Sequence, residues 1–582
     1  MLRKTIFLPL LSAALLATAA DAQPSASAAA PAPAPVRRSD AETAQLLDGQ
    51  LSRMVPFGFS GSILVARDGR VLLEKGYGLA DRAAGTPVTA QTVFDIGSIT
   101  KQFTAAAILK LEEAGKLRVT DPVSRHLPGV PADKASMTLH HLLTHSAGLE
   151  DVFGGDYEVA ERDSLVQVAL NSKLLWAPGT RYRYSNVGYT LLAAIVERHS
   201  GQPYERFLRE TFFVPAGMER TGYLLPGWRP GEQAHGYRRN GEVFGTPAGQ
   251  KWAPDGPWWN LRGNGGILSN VGDLYRWNRA LEGSRILTDS SKRKLFAPHM
   301  PENPEATSHY GYGWSVTNTT RGTKLVSHNG GNGVFFADFR RYVDEGVTIL
   351  VMSNVSGLSA AWAVVPRIVF GTEYVPAPAT APLSPAAAAA LAGTYRLPSG
   401  TVLTAAAAGG EVTITASAGD ALAALTGMRA DAVTDSFAKR TKALLDGLTR
   451  DDYTAAHQAY GGRRTLEDVT QSFRREAAEF AKEYGELRGY RVLGAARDGG
   501  RVEVLAVGDY ARGPRYETWI WIDGQVRGLQ TAALPSARFL PAAGGGWVAY
   551  DVRTGRMARV RAEGRDLVFV LPDGEVRARR EG

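Results

Sequence analysis

A serine and a lysine in one short segment are the first candidates for chemistry in this sequence. Ser98 follows Gly97, and Lys101 lies three positions later, where an apolar helical pattern begins. Residues at this spacing share one face of a helix, so the hydroxyl and the amine can meet. A serine needs a neighbouring base to act as a nucleophile, and a lysine can be that base where its surroundings lower its pKa. The start of a helix also carries a positive partial charge that stabilises a developing oxyanion.

The S-x-x-K spacing alone is a weak signal, because it occurs three times in the chain. The other two pairs are Ser291 with Lys294 and Ser436 with Lys439. Both lie in charged helical segments, which are typical of solvent-exposed surface. Only Ser98 follows a glycine and precedes an apolar helix that could bury it. Ser98 is therefore the candidate nucleophile.

A second group of candidates lies at the end of a loop rich in proline and glycine. Tyr184 and Asn186 stand two positions apart, immediately before an apolar helical pattern over Val187–His199. Side chains at such a loop end can be directed into a cleft. The simpler alternative is that Asn186 only caps the helix.

A third group follows a strand pattern and contains two adjacent glycines. It consists of His328, Asn329, Gly330 and Gly331. Adjacent glycines at a strand end permit close approach of the backbone to a ligand, and a strand edge can supply an N–H to an oxyanion hole. The alternative is that His328 is a hairpin residue and that the glycines only form a turn.

The composition excludes several other classes of site. The chain has no cysteine, which excludes disulfides, thiolate zinc sites and thiol nucleophiles. Its net charge of +8 is spread along the sequence, so no nucleic-acid-binding arm is predicted. His141 and His145 have the spacing of metal ligands, but no acidic third ligand accompanies them, and a shared helix face accounts for both. We therefore predict neither a metal nor a cofactor.

The three groups occur in one order along the chain: Ser98-x-x-Lys101, then Tyr184-x-Asn186, then His328-Asn329-Gly330. This order resembles the serine β-lactamase and penicillin-binding-protein superfamily. The surrounding segments are similar to its class C-type branch, which includes class VIII esterases, D-aminopeptidases and DD-carboxypeptidases. No G-x-S-x-G elbow is present to favour an α/β-hydrolase.

The resemblance implies an α/β (α+β) β-lactamase-like fold over residues 40–373, with an antiparallel sheet flanked by helices beside an all-helical lobe. It also implies a role for each candidate residue. Ser98 would attack an acyl carbonyl, Lys101 and Tyr184 would share the role of base, and Asn186 would orient Lys101 and the substrate. His328, Asn329 and Gly330 would bind substrate, and the backbone N–H groups of Ser98 and Gly331 would hold the oxyanion.

The expected activity is that of a serine hydrolase that forms an acyl-enzyme with a small amide or ester. Esterase, D-amino-acid peptidase or carboxypeptidase, and β-lactamase-like activities are all open, and peptidoglycan is an expected partner. His328 stands where the superfamily often has lysine, which weakens fixed recognition of a carboxylate and disfavours an efficient β-lactamase. The alternative from another class is a non-catalytic envelope protein that binds peptidoglycan fragments.

The N-terminal residues have the features of an export signal. Arg3 and Lys4 precede an apolar run, and a small-x-small site ends at Ala22. A membrane anchor is the alternative, but the run is shorter than the ~20 residues that a span needs. We predict a signal peptide over 1–22, a disordered Ala/Pro linker over 23–39, no transmembrane anchor after cleavage, and a periplasmic or secreted enzyme.

The C-terminal part predicts further modules. Residues 374–388 are rich in proline and predict a linker. Residues 389–428 and 538–582 resemble the two halves of a lipocalin-like β-barrel. Residues 429–537, with three helical patterns followed by four strand patterns, suggest an inserted cone-type α+β domain. The alternative is a separate tandem domain with an unrelated β tail.

Overall fold

The computed structural model describes residues 38–238, 241–356, 359–461 and 465–581. The predicted signal peptide and residues 23–37 of the predicted Ala/Pro linker lie outside these ranges. The described chain forms two compact units, residues 38–374 and residues 375–581. Among the described helices, none combines the length and the apolar content needed to cross a bilayer.

The first unit is built on an eight-stranded antiparallel sheet. Numbered by their position in the chain, its strands lie side by side in the order 2-1-8-7-6-5-4-3. The strands are Gly61–Arg67, Arg70–Tyr77, Met300–Pro301, Ser308–Tyr310, Ser315–Asn318, Lys324–Gly331, Phe336–Tyr342 and Val347–Ser353. The first two form the hairpin that Asp68-Gly69 predicts, and both turn residues have positive φ, at 49° and 77°.

Helices flank this sheet. Those that lie in the chain between its second and third strands form a lobe. The first helix begins behind a capping box of Ser39 and Glu42, since the two residues exchange hydrogen bonds. The α-helices of the unit are Asp40–Met54, Thr100–Glu113, Leu139–Leu143, Arg162–Asn171, Asn186–Ser200, Tyr204–Leu208, Val214–Ala216, Val271–Glu282, Asp289–Leu295 and Ser359–Val369. The α/β β-lactamase-like fold predicted from the resemblance is confirmed.

Short elements complete the first unit. Its two-stranded ribbons are Leu79–Asp81 with Thr86–Pro87, Phe94–Asp95 with Leu268–Ser269, and Gly236–Tyr237 with Val243–Gly245. The sequence has a helical pattern over residues 203–213, but a π-helical segment, Arg209–Phe213, follows Tyr204–Leu208 and interrupts the α-helix. The 3₁₀ turns are Val55–Phe57, Gly97–Ile99, Val123–Arg125, Ala132–Lys134 and Pro247–Gly249.

The helix Thr100–Glu113 passes through the centre of the first unit. Every residue from Thr100 to Leu109 is buried, which is typical of a helix surrounded by other elements. The ring of Phe103 packs edge-on against Phe213 at 5.1 Å and lies 4.9 Å from Trp277. This packing fixes the helix that carries Lys101, and so fixes one wall of the candidate site.

The second unit contains a closed eight-stranded barrel, which confirms the barrel predicted for the C-terminal part. Its strands are Gly393–Arg396, Val402–Ala408, Glu411–Ala416, Ser536–Pro541, Trp547–Asp551, Arg556–Glu563, Asp566–Leu571 and Gly574–Arg580. The first and last strands close the barrel through Tyr395 and Arg580. Tyr395, Leu403, Ile414, Phe539 and Phe569 are buried in its core.

A separate helical and sheet region lies in the chain between the third and fourth barrel strands. Its helices are Ala432–Leu448, Thr454–Ala459 and Leu466–Tyr484, and its antiparallel strands are Leu487–Asp498, Arg501–Tyr510, Gly513–Ile522 and Gln525–Ala532. The short helix Leu422–Thr426 precedes this region and packs Ala424 and Leu425 into the barrel core. The flanking barrel strands nevertheless pair directly, with Val412 opposite Phe539. The chain therefore leaves the barrel after Ala416 and re-enters it at Ser536. The domain boundaries assigned from the sequence stay predictions.

The Pro-rich linker predicted over 374–388 is shorter in the structure. A helix forms over Pro385–Leu391, with Ser384 as its cap and proline at its first position. Ala388 and Leu391 are buried in the barrel core. The neighbouring prolines favour a linker for the alanine run, but alanine has the highest helix propensity and this run has a surface to cover.

Candidate active site

Ser98 lies in a tight backbone turn at the start of the central helix. The turn is a 3₁₀ segment, Gly97–Ile99, and the α-helix begins only at Thr100, so Ser98 precedes the first α-helical turn in which we predicted it. Gly97 has a φ of 50°, and its N–H donates to Asp95 Oδ1 at 2.7 Å. This left-handed turn, which glycine adopts without strain, presents Ser98 at the end of the helix.

Lys101 donates to three oxygens that converge on its amine. Nζ lies 3.0 Å from Ser98 Oγ, 2.6 Å from Asn186 Oδ1 and 2.7 Å from the carbonyl oxygen of Asn264. Lys101 itself is fully buried. Burial lowers the pKa of the amine to about 7, although the carboxylates of Asp151 and Asp156 act in the opposite direction. An amine with that pKa is partly neutral at physiological pH.

Tyr184 closes the site on another side. Lys101 Nζ lies 4.7 Å from the centre of its ring. Its hydroxyl is buried and has no hydrogen-bond partner among the described residues. Burial raises the pKa of the phenol, and the neighbouring Ser98 hydroxyl partly offsets the effect. Tyr184 is therefore a neutral phenol whose O–H is free for a substrate or for Ser98.

Asn186 is held in place by an aspartate. Its side-chain amide donates to Asp151 Oδ1 at 2.9 Å, and its backbone N–H donates to the same oxygen at 3.0 Å. These bonds turn the amide oxygen of Asn186 toward Lys101. The alternative that Asn186 caps the next helix is wrong, because Ser185 is the cap and accepts from the N–H of Gly188.

His328 is a neutral imidazole with both nitrogens engaged. Nδ1 lies 2.6 Å from the carbonyl oxygen of Asn329 and must donate to it, while Nε2 lies 2.8 Å from the hydroxyl of Tyr310 and accepts from it. Burial and the nearby Lys101 lower the pKa of His328 to about 3. The imidazole is therefore not a cation in the physiological pH range.

The strand Lys324–Gly331 brings its glycine end against the serine turn. Its neighbour on one side, Ser315–Asn318, pairs with it only up to Ser327, so the edge beyond that point is open. A Cβ placed on Gly330 would lie 2.0 Å from the oxygen of Ile96 and 2.7 Å from the nitrogen of Ser98. A Cβ on Gly97 would lie 2.4 Å from the nitrogen of Gly331. The two predicted oxyanion donors, Ser98 N and Gly331 N, therefore lie in adjoining backbone.

Asn329 has a different position from its neighbours. It is opposite Asp338 in the strand register, and its carbonyl oxygen fixes the tautomer of His328. Side chains alternate along a strand, so its amide lies on the opposite face from the His328 ring. The substrate-binding role assigned to its side chain stays a prediction.

Four residues of this arrangement are absent from our candidates based on sequence. They are Asp151, Asn264, Tyr310 and His145. His145 packs its ring 4.2 Å from that of Tyr184, and its Nδ1 accepts from the N–H of Ser185 at 3.0 Å. A sequence signal exists only for His145 and Asn264. His145 lies in residues 141–149, one of the segments that resemble the superfamily, and Asn264 precedes two glycines.

The structure explains His141 and His145 differently from the sequence. The helix Leu139–Leu143 contains His141 but ends before His145, which has a φ of 57°, so the shared helix face is wrong. His141 Nδ1 accepts from the N–H of Thr138, whereas His145 faces the tyrosines. Within the described ranges, no group of three or more His, Cys, Asp or Glu residues could hold a metal ion.

The two other S-x-x-K pairs lie outside this site. Ser436 and Lys439 are exposed, as predicted. Ser291 is buried rather than exposed, because it folds into the cap of its helix, where its N–H donates to Thr288 Oγ1. Lys294 donates to Glu112 at 2.7 Å and not to Ser291. Neither pair joins a hydroxyl to a buried amine.

Comparison with known proteins identifies relatives of the first unit. The Beta-lactamase family matches residues 58–369. Penicillin-binding protein 4* of Bacillus subtilis (strain 168) is 32% identical over 314 residues, which are 51% of this chain and 68% of that protein. The putative penicillin-binding protein PbpX of the same organism is 34% identical over 259 residues, which are 44% of this chain and 62% of that protein.

One solved structure extends the similarity of fold. The octameric penicillin-binding protein homologue from Pyrococcus abyssi aligns with a TM-score of 0.51 and 20% identity, covering 92% of this chain and 99% of the other. At that identity the likeness concerns the fold alone.

Proposed function

The chain belongs to the Beta-lactamase family and is a serine hydrolase, and on this premise we propose that it cleaves an amide or ester through an acyl-enzyme formed on Ser98. One observation carries the proposal. Lys101 Nζ lies 3.0 Å from Ser98 Oγ, and the amine is buried with a pKa of about 7. A hydroxyl beside an amine that is partly neutral at physiological pH is an activated nucleophile.

The three oxygens around Lys101 direct its lone pair. A protonated amine has three N–H groups and can donate to all three oxygens. The neutral amine has only two N–H groups. These stay in the two shorter hydrogen bonds, to Asn186 Oδ1 and to the carbonyl oxygen of Asn264. The lone pair then faces Ser98, whose O–H donates to Lys101. Lys101 can thus accept the serine proton as Oγ attacks the acyl carbon.

Tyr184 completes the proton path in this proposal. Its raised pKa keeps the phenol protonated, and its hydroxyl has no competing partner among the described residues. As the tetrahedral intermediate collapses, the phenol donates its proton to the departing nitrogen or oxygen and regains one from Lys101. A water molecule then attacks the ester on Ser98, with the same two groups acting in reverse.

The oxyanion is held by backbone N–H groups of Ser98 and Gly331. Both belong to closely packed backbone, so the two donors are fixed before substrate arrives. Preorganised donors of this kind typically contribute 10²–10³-fold in rate. Gly330, which has no side chain, lets the strand approach Ser98.

The state of His328 favours some substrates over others. A β-lactam or a C-terminal peptide presents a carboxylate, which a fixed cation binds well. His328 is neutral and both of its nitrogens are occupied, so it does not provide that cation. We therefore favour an esterase or a peptidase acting on peptidoglycan-derived or D-amino-acid compounds over an efficient β-lactamase.

We further propose that the enzyme is exported to the periplasm or secreted. The support is the sequence of residues 1–22, with two basic residues, an apolar run and a small-x-small site. The absence of cysteine is compatible with an oxidising compartment. Expression of the full chain, followed by fractionation and N-terminal sequencing of the mature protein, tests this assignment.

A fluorophosphonate probe tests the acyl-enzyme. We expect the wild type to gain the mass of one probe molecule, the Ser98→Ala variant to gain none, and the Ser436→Ala variant to react like the wild type. Ser436 is the matched control because it belongs to an exposed S-x-x-K pair. Failure of the folded wild type to react with fluorophosphonate or with labelled penicillin would favour the non-catalytic envelope-binding protein.

A further inference from the structure

A loop carrying several acidic residues lies beside the site. We call residues 151–158 the acidic loop. It begins at Asp151, which holds Asn186, and by Tyr157 it has reached Asn332, whose amide nitrogen lies 3.5 Å from the phenol oxygen. Asn332 follows directly on Gly331. The loop thus runs from the helical lobe to the strand that bears the predicted oxyanion donor.

Asp156 lies between these two anchor points and differs from the other carboxylates near the site. The carboxylate of Asp151 accepts from Asn186, and that of Asp95 accepts from Gly97 and Asn332. Asp156 has no hydrogen bond or ion pair within the described residues, and the residue is partly exposed to solvent. A partly exposed carboxylate with no partner in the protein remains available to accept from an N–H group of a ligand.

Asp156 lies close enough to the reacting groups to interact with them electrostatically. Burial and Asp151 raise its pKa while Lys101 lowers it, and in return Asp156 and Asp151 raise the pKa of Lys101. The same side chain raises the pKa of Asp95, which lies beside the serine turn. These mutual effects place Asp156 in the charge environment of the Ser98–Lys101 pair and not on remote surface.

The acidic loop itself is held independently of Asp156. The side-chain amide of Asn260 donates to the carbonyl oxygens of Gly155 and Glu158, and Glu158 accepts from the N–H of Gly155 at 3.0 Å. The ring of Tyr157 packs 5.7 Å from that of Phe244. Asp156 is therefore free of a structural task that would explain a carboxylate at this position.

We propose that Asp156 binds a cationic amino group of the substrate, so that the enzyme prefers amides and esters of free amino acids or free amino termini over substrates with a carboxylate. The inference rests on the proposed acyl-enzyme activity. A substrate ammonium would pair with Asp156 while its acyl carbon lies at Ser98. A competing substrate carboxylate finds no ion-pair partner in His328 on the strand Lys324–Gly331, because that imidazole is neutral and both of its nitrogens are occupied.

A matched series of substrates tests the proposal. Alanine p-nitroanilide carries an ammonium group, its N-acetyl derivative is neutral, and its N-succinyl derivative is an anion. Each is measured in the D and L configurations with wild type, Asp156→Asn and Glu158→Gln. Asparagine has the same shape as aspartate, so Asp156→Asn removes the charge and preserves folding. Glu158→Gln removes one charge from the same loop, while its side-chain oxygen can still accept from Gly155.

We expect the wild type to have a higher kcat/KM for the ammonium substrate than for the N-acetyl substrate. In Asp156→Asn this ratio should fall by about 10- to 100-fold, which corresponds to the loss of a hydrogen bond to a charged group. The kcat/KM for the N-acetyl substrate should change little, and Glu158→Gln should keep the wild-type preference. An unchanged preference in Asp156→Asn, or an equal loss in Glu158→Gln, would overturn the role of Asp156.

The failure of this inference can be told apart from the failure of the proposed function. If the wild type hydrolyses p-nitrophenyl acetate but shows no preference for the ammonium substrate, only the role of Asp156 is wrong. If it hydrolyses none of these compounds and does not react with a fluorophosphonate, the acyl-enzyme itself is wrong and the inference falls with it.

Discussion

Ser98 Oγ and Lys101 Nζ are 3.0 Å apart, and the amine is buried where its pKa is about 7. The helix spacing brings the two side chains together, but the surroundings of the amine decide what it can do. Two oxygens, from Asn186 and Asn264, hold its other hydrogens. Asn186 comes from the helical lobe and Asn264 from the loop before the glycine pair, so the base depends on segments far apart in the chain.

Replacement of Lys101 should abolish acylation without unfolding the protein. We expect Lys101→Ala to retain less than about one per cent of wild-type turnover, since loss of a proton-transfer group typically costs 10²–10⁴-fold. Lys101→Arg is the informative companion, because arginine keeps the charge and cannot deprotonate. Burst kinetics with a p-nitrophenyl ester, with circular dichroism as the control for folding, provide the measurement. A variant with several per cent of wild-type turnover would contradict a role as base.

The pH dependence of kcat/KM should report the ionisation of Lys101. The neutral amine is the active form, so activity should rise as pH increases through about 7 and fall as pH decreases below it. Asp95 needs a control, because burial also raises its pKa to about 7. In Asp95→Asn the amide oxygen can still accept from Gly97, although the bond from Asn332 is lost. Because asparagine does not ionise, this variant should keep the acid limb of the profile if Lys101 is the titrating group. The substrate is a neutral ester, so that ionisation of the substrate does not contribute to the pH profile.

If Asp95→Asn loses that limb, the titrating group is Asp95 and not Lys101. A limb that stays at the same pH in Asp95→Asn would support the lysine.

Elements with a strong pattern of their own could be predicted from the sequence. The helix Ala432–Leu448 and the strand Val347–Ser353 have the bounds that their periodicity indicates, because each pattern is complete within its own segment. The linker is the counterexample. Its alanines form the helix Pro385–Leu391 only because the barrel core offers Ala388 and Leu391 a surface to pack on.

The candidate site could be predicted only as far as short motifs extend. Ser98, Lys101, Tyr184, Asn186 and His328 carry such motifs, and the structure brings all five together. Their roles stay predictions. The supporting contacts of Asp151 and Asn264 could not be predicted, since a hydrogen bond across the fold leaves no periodic signal in the sequence. The two glycines after Asn264 draw attention to its position but do not identify Lys101 as its partner.

His145 is expected to position Tyr184. Its Nδ1 accepts from Ser185, so its proton lies on Nε2, and its ring packs 4.2 Å from that of Tyr184. His145→Asn keeps a side chain that tolerates the φ of 57° and can accept from Ser185, but it removes the ring. We expect kcat to fall about 10-fold, with little change in KM or Tm. This loss is smaller than that from removing a proton-transfer group, because His145 acts only through Tyr184.

His145→Phe is the complementary variant. It keeps an aromatic ring beside Tyr184 but loses the acceptor for Ser185 and places a bulky residue at a positive φ, so its main effect should be a lower Tm. Wild-type kcat in His145→Asn would show that the ring has no part in positioning Tyr184.

Gly330 should tolerate no side chain. A Cβ there would lie 2.0 Å from the oxygen of Ile96 and 2.7 Å from the nitrogen of Ser98, and both neighbours are backbone that cannot move aside alone. Gly330→Ala should therefore push the strand away from the serine turn and separate the two predicted oxyanion donors. Gly283→Ala is the matched control, because a Cβ at Gly283 meets nothing within 4 Å. We expect kcat to fall at least about 100-fold in Gly330→Ala, as for the loss of an oxyanion donor, and to be unchanged in the control. Steady-state kinetics with a p-nitrophenyl ester decide the matter, and an active Gly330→Ala would contradict the oxyanion role of Gly331.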